Sequence, residues 1–190
     1  STMGLAASDI DLDGWMDFAL SNGIGLTTVV FNCDPADDEF GVRCVDVGRD
    51  WEMFERDHTN WGVALQSFDN DPWPDLLLAA GNLGSKMPGD EHNQLWWNEN
   101  GEFVRYAATG DDALAAEDLS HGVGLGDLDN DGDVDVVIGN QGIPSQILRN
   151  DGARGNWLMV NLVTEASNVG AVGAQVSVQM DRCSITKQKT

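Results

Sequence analysis

The chain has 190 residues, with 32 acidic against 10 basic side chains and a formal net charge of −22. That balance excludes nucleic acid as a direct partner, because phosphates demand clustered cations, and a 42 % hydrophobic share excludes a compositionally disordered chain. No apolar run reaches the roughly 20 residues needed to cross a bilayer as a helix, so direct membrane insertion is not expected.

The first predicted strand opens with Gly4-Leu5-Ala6 and leads into DIDLDGWMD, Asp9 to Asp17. Oxygen-bearing side chains stand at loop positions 1, 3, 5 and 9, and Gly14 follows the fifth. We assign Asp9, Asp11, Asp13 and Asp17 as candidate side-chain ligands of a cation, completed by the Trp15 carbonyl and water. An apolar strand follows, Phe18-Ala19-Leu20, and then Val29-Val30-Phe31-Asn32, a strand ending in Asn. Cys33 follows that strand and Cys44 begins the next, which leaves Asp34 to Arg43 as a hairpin loop. Three pairings of Cys33, Cys44 and Cys183 are formally possible. The hairpin favours Cys33 with Cys44, a closure worth about 3 kcal/mol in the chain-entropy model, and leaves Cys183 over.

The same order recurs. Gly62-Val63-Ala64 precedes SFDNDPWPD, Ser67 to Asp75, followed by Leu76-Leu77-Leu78 and Leu95-Trp96-Trp97-Asn98. Here Ser67 replaces the first carboxylate and Pro72 replaces the bend glycine. Asp69, Asp71, Asp75 and the Trp73 carbonyl remain, so this loop is expected to be the weakest. A turn at Asn98-Glu99-Asn100-Gly101 leads into Phe103-Val104, and residues 111–118 predict a turn or two of helix. Gly122-Val123-Gly124 then precedes DLDNDGDVD, which matches the first loop: Asp127, Asp129, Asp131 and Asp135, with the Asp133 carbonyl. Val136-Val137-Ile138, Ile147-Leu148-Arg149-Asn150 and a turn at Asn150-Asp151-Gly152 complete the third copy.

Converging carboxylates are unfavourable without a cation, since two like charges about 4 Å apart repel by roughly 4 kcal/mol at an effective dielectric of 20. A divalent ion reverses that sign, and an all-oxygen shell suits Ca²⁺ better than the tighter octahedron of Mg²⁺. We therefore expect two or three calcium ions. An EF-hand begins the same way, but it needs Glu at loop position 12 and flanking helices. Position 12 here is Leu20, Leu78 or Ile138. Asp, Asn and Gly also populate ordinary polar turns, and three copies at matched spacing argue against that reading.

The loops begin 58 and then 60 residues apart, a spacing that marks a repeat unit. The expected fold is all-β: propeller-type blades of four antiparallel strands, about three repeats in an incomplete ring, plus a C-terminal β segment. The expected units are residues 1–60, 61–120 and a partial third at 121–154, then 155–182 as the β segment and 183–190 as a tail. Propellers typically have 4 to 8 blades. The chain is therefore read as part of a longer polypeptide, or as a subunit whose open edges pair with further copies. The tryptophans, Trp61, Trp73, Trp96 and Trp97 among them, are expected to pack between blades rather than form a stacking surface.

The aspartate loops and Asn-ending strands of residues 3–152 resemble the FG-GAP or VCBS repeats that build integrin-α-like propellers. Asn156-Trp157-Leu158-Met159-Val160-Asn161-Leu162-Val163, Ser167-Asn168 and Gly170-Ala171-Val172-Gly173-Ala174 resemble the opening of the ASPIC/UnbV domain of cartilage-acidic-protein-like proteins. The resemblance implies a calcium-binding extracellular module that acts in adhesion or binds a protein or glycan on a surface or in the matrix. A disulfide and calcium loops likewise belong outside the cytosol. The alternative is a structural subunit of a fibre or oligomer built from copies of itself. Less favoured is an accessory domain of a secreted hydrolase. No catalytic residue is assigned: His58, His92 and His121 lack zinc-ligand or triad-like spacing. His121 reads as a packing residue and His92 as part of a solvated loop.

Overall fold

The structure, a computed structural model, describes residues 2–23, 28–37, 39–51, 53, 59–81, 92–116, 118–152, 156–164, 171, 173–179 and 184–188. Cys183, His58, Ser167, Asn168, Gly170 and Val172, singled out above, lie outside the described residues.

The first sheet is an antiparallel meander of β1 (Thr2–Ser8), β2 (Asp17–Asn22), β3 (Val29–Pro35) and β4 (Val42–Asp46). The second repeats it with β5 (Asn60–Gln66), β6 (Asp75–Ala80), β7 (Gln94–Glu99) and β8 (Glu102–Arg105). The third has three strands among the described residues, β9 (Ser120–Gly126), β10 (Asp135–Asn140) and β11 (Gln146–Leu148). A hairpin of β12 (Gln175–Gln179) and β13 (Ser184–Gln188) follows. The fold is all-β with propeller-like blades. Among the described residues the blades follow one another, β1 beside β5 and β5 beside β9, without closing a ring.

Each aspartate loop joins the first strand of a blade to the second, and the apolar run after it becomes that second strand. β6 reads Asp-Leu-Leu-Leu-Ala-Ala and is buried at every position, because a blade covers each of its faces. Ile10, Ala19 and Val30 of the first blade meet Leu65, Leu76, Leu78, Trp96 and Phe103 of the second. The connection after β4 supplies Met53 and Trp51, the latter edge-on to Phe103 with ring centroids 5.0 Å apart. Ala64, Phe68, Leu77 and Leu95 meet Leu114, Val136 and Ile138 between blades two and three. Packed this way, a fully buried Leu or Ile contributes about 1.5–3 kcal/mol.

The glycine that leads each inner strand is where neighbouring backbones touch. A Cβ at Gly4 would lie 2.6 Å from the Trp61 carbonyl oxygen, and one at Gly62 would lie 2.8 Å from Val123 Cγ2. At Gly122, among the described residues, nothing lies within 4 Å. Trp96 is buried and Trp97 half-buried on the opposite face, and Trp61 meets His121 across the blade boundary at 4.6 Å between centroids, tilted by 49°, whereas Trp15 and Trp157 are 43 % and 52 % exposed. His92 lies outside the strands, before β7, with its Nε2 3.4 Å from an Arg105 guanidinium nitrogen on the exposed side.

Three local expectations change. Among the described residues of the 111–118 stretch, the helical part is a single 3₁₀ turn, Ala113–Ala115, capped by the Asp112 side chain. Strands β3 and β4 run through the cysteines, so Cys33 and Cys44 are directly opposite one another and disulfide-bonded at a Cα–Cα distance of 4.0 Å. The loop beyond them is correspondingly shorter than 34–43. Finally, Phe18, Leu76 and Val136 pair with Phe31, Trp96 and Leu148. The counterpart of Asn98 and Asn150 in blade one is therefore Cys33, and Asn32 instead matches Trp97 and Arg149.

Candidate metal centre

Every loop is wound around its ninth residue. Asp17 accepts hydrogen bonds from the Ile10 and Cys33 amides at 2.7 and 2.8 Å. Asp75 accepts from Phe68 and Asn98 at 2.8 and 2.9 Å, and Asp135 from Leu128 and Asn150 at the same distances. One carboxylate thus ties the start of the loop to the end of the third strand in each blade. Burial pushes the Asp17 and Asp75 carboxyls up to about 7 against those amide bonds. The Asn150 and Leu128 amides outweigh burial at Asp135 and hold its carboxyl below the usual range, helped by Arg149.

The fourth residue of every loop is left-handed: Leu12, Asn70 and Asn130 have φ of 61°, 59° and 64°. In loops one and three the sixth residue, Gly14 or Gly132, has φ near +95° and donates its N–H at 3.0 Å to the first carboxylate, Asp9 or Asp127. Loop two lacks both halves of that bond. Pro72 has no N–H and Ser67 has no carboxylate, so the two departures are one change. The seventh residue, Trp15, Trp73 or Asp133, donates its amide to the fifth, Asp13, Asp71 or Asp131, at 2.7, 2.8 and 2.9 Å.

The carboxylates that converge differ from loop to loop. Asp9, Asp11 and Asp13 bring oxygens within 4.8 Å of one another, as do Asp127, Asp129 and Asp135. Asp129 and Asp131 also converge with Asp151, a residue the sequence reading missed. Among the described residues, Asp17 joins no such group, and neither do Ser67, Asp69, Asp71 and Asp75. In loop two, Asp69 accepts from the Asp71 amide and the Ser67 hydroxyl, and Asn70 reaches across to Asp133 of loop three at 2.8 Å.

Asp9 is the informative member. Its side chain is only 2 % exposed, Oδ2 accepts from Gly14, and Oδ1 has no hydrogen-bond partner among the described residues. Burial first, then Asp13 and Asp11, push its carboxyl upward, and burial and Asp11 do the same to Asp13. A buried carboxylate oxygen with neither proton nor donor is costly. A hard divalent cation at Asp9, Asp11 and Asp13 satisfies that oxygen and removes the repulsion. The donor set at Asp127, Asp129 and Asp135, all carboxylate, suits the same class of ion.

A second element borders these loops. Asn98, 2 % exposed, donates Nδ2 to the Ile10 carbonyl of the preceding blade at 2.9 Å and to the Pro74 carbonyl at 3.2 Å, while its Oδ1 accepts from Gly101. Asn150 repeats this, reaching the Phe68 carbonyl of blade two at 2.6 Å and accepting from Gly152. The Asn-ending strand was legible in the sequence; its reach into the neighbouring loop was not, because that acceptor lies more than eighty residues away.

Blades of this kind, each carrying an acidic loop between its first two strands, define a β-repeat protein with ion-binding potential. Residues 68–138, from the bend of loop two through the strand after loop three, match the family model of the FG-GAP-like repeat. No curated protein matches the chain. Among the described residues, no helix is long and apolar enough to cross a membrane.

Proposed function

We propose that the chain is a calcium-binding extracellular repeat module, non-catalytic in itself, whose ions fix the loops and whose blades present a surface for adhesion to a protein or glycan. The observation that carries the metal part is Asp9 Oδ1, buried and unpartnered within a triad of carboxylates. Asp9, Asp11 and Asp13 would hold one ion, and Asp127, Asp129 and Asp135 another. Asp17 contributes by holding Ile10 and Cys33, which fixes the direction from which Asp9 enters the site. Bound calcium supplies the charge that lets these acids lie together. Asn98 then transmits the fixed loop to the next blade through the Ile10 carbonyl.

The extracellular placement draws on the Cys33–Cys44 disulfide and the FG-GAP-like match, both compatible with an oxidising, calcium-rich compartment. The resemblance of 155–182 to an ASPIC/UnbV opening supports the same setting. Calorimetric titration with calcium chloride tests the metal reading, alongside melting in calcium and in chelator. Calcium should bind and raise the melting temperature, and Asp9→Asn should remove the loop-one event. The absence of both heat and stabilisation at millimolar calcium would refute the reading.

A further inference from the structure

One position borders the acidic loop in every blade, the residue after Phe31, Trp96 and Leu148 in the matched register. In blade one it is Asn32, whose Nδ2 donates to Asp11 Oδ2 at 2.7 Å. In blade three it is Arg149, whose Nη1 lies 3.7 Å from Asp129 Oδ2, the same carboxylate position of the loop. In blade two it is Trp97, which has no charge to offer. We propose that this position sets how tightly each loop holds a divalent cation, with Arg149 acting as a built-in counter-cation that weakens loop three relative to loop one. The proposal rests on the calcium reading above and assigns a role within it to Arg149, which the sequence reading had treated only as part of a strand.

The guanidinium is held in place. Nε and Nη2 donate to Asp151 Oδ2 at 3.0 and 2.8 Å, and Asp151 itself converges with Asp129 and Asp131. Arg149 therefore sits against three acids of the third loop and its turn. Arginine keeps its charge at any ordinary pH, so it neutralises part of the field that would draw in a cation and repels a cation that arrives. Asn32 satisfies Asp11 by a hydrogen bond without spending any of that negative charge. Loops one and three share their aspartates at positions 1, 3, 5 and 9 and the glycine at position 6, and a residue outside either loop sets them further apart. A unit charge and a double charge about 6 Å apart in water repel by the equivalent of about tenfold in an equilibrium constant, and the effect shrinks as salt screens it.

The test is a calcium chloride titration of the full chain at low and high sodium chloride, followed through the backbone amide signals of Gly14 and Gly132. These report loops one and three separately. The wild type should bind more tightly at Gly14, with the gap narrowing in salt. Arg149→Asn should tighten binding at Gly132 by about five- to tenfold without changing Gly14, and Asn32→Arg should weaken binding at Gly14. Arg149→Gln carries the same expectation should the Asn variant fail to fold, as judged from the calcium-free spectrum. Unchanged or weaker binding at Gly132 without the arginine would overturn the inference and reduce Arg149 to a brace for the Asp151 turn, leaving the calcium reading intact. Silence at both glycines in every protein would sink the calcium reading as well.

Discussion

Replacing Asn98 by Ala isolates the joint between the first two blades. The substitution deletes two donated bonds, at 2.9 Å to Ile10 and 3.2 Å to Pro74, and one accepted from Gly101 at 2.8 Å. A typical buried hydrogen bond nets about 1 kcal/mol, and an acceptor left dry costs about 1–3 kcal/mol. Asn98 is 2 % exposed, so water does not readily replace its amide, and the expected loss is about 2–4 kcal/mol. Asn150 is half-buried, and the same substitution there should cost about 1–2 kcal/mol, since solvent can reach the freed carbonyl. Asn98→Asp should be worse than Ala, because it sets a carboxylate against two carbonyl oxygens. Urea unfolding in chelator, followed by tryptophan fluorescence, measures all three. An Asn98→Ala protein within about 0.5 kcal/mol of wild type, the range of an ordinary surface change, would refute the argument, as would Ala and Asp variants of equal stability.

Leu12 occupies a left-handed conformation that Asn or Gly adopts with less strain. Leu12→Asn, which copies Asn70 and Asn130, should stabilise the chain by up to about 1 kcal/mol in the same unfolding assay. Gly4→Ala should cost about 1–3 kcal/mol through its clash with the Trp61 backbone, whereas Gly122→Ala should be neutral or slightly stabilising; equal costs would contradict the blade contact. In chelator the folded chain holds protons on Asp17 and Asp75 up to about pH 7, while the unfolded chain releases them near 4. Stability should therefore rise as pH falls from 8 towards 5, by at most about 1.4 kcal/mol per pH unit for each fully linked group, and saturating calcium should oppose that trend. A melting temperature that falls steadily over this range in chelator would show that these carboxyls are charged when folded.

The loops, the strands after them and the blade period were legible because each rests on local chemistry: Asp and Gly at fixed offsets, then an apolar run. The disulfide was legible for the same reason, although strand continuity through Cys33 and Cys44 was not. What the sequence concealed is relational. Asp17 and Asp75 looked like further ligands, yet among the described residues neither joins a converging group, and both oxygens of each accept backbone amides, one of them from a strand 16 or 23 residues beyond the loop; Asp135 accepts amides in the same way, one from 15 residues on, and still converges with Asp127 and Asp129. Matching the strands on their asparagines put Asn32 one position out of step, since Cys33 fills that place in blade one and only the strand register reveals it. Arg149 carried no motif, and its meaning depends on which carboxylate it faces. The paired loss at Ser67 and Pro72 was visible as two departures, and the Gly14–Asp9 bond shows why they occur together.

The joint between blades has a direction. Blades two and three reach backward with an asparagine, blades one and two set a bare glycine against the next blade, and in the third, among the described residues, Gly122 is open and Leu128, the counterpart of buried Ile10 and Phe68, is 54 % exposed. The first blade has exchanged the backward reach for a half-cystine. Among the described residues, the latch is therefore complete where blade two meets blade one and where blade three meets blade two, and blade one carries no asparagine to make the same reach. A neighbour that completes the Gly122 face in the manner of blades two and three brings an amide of its own.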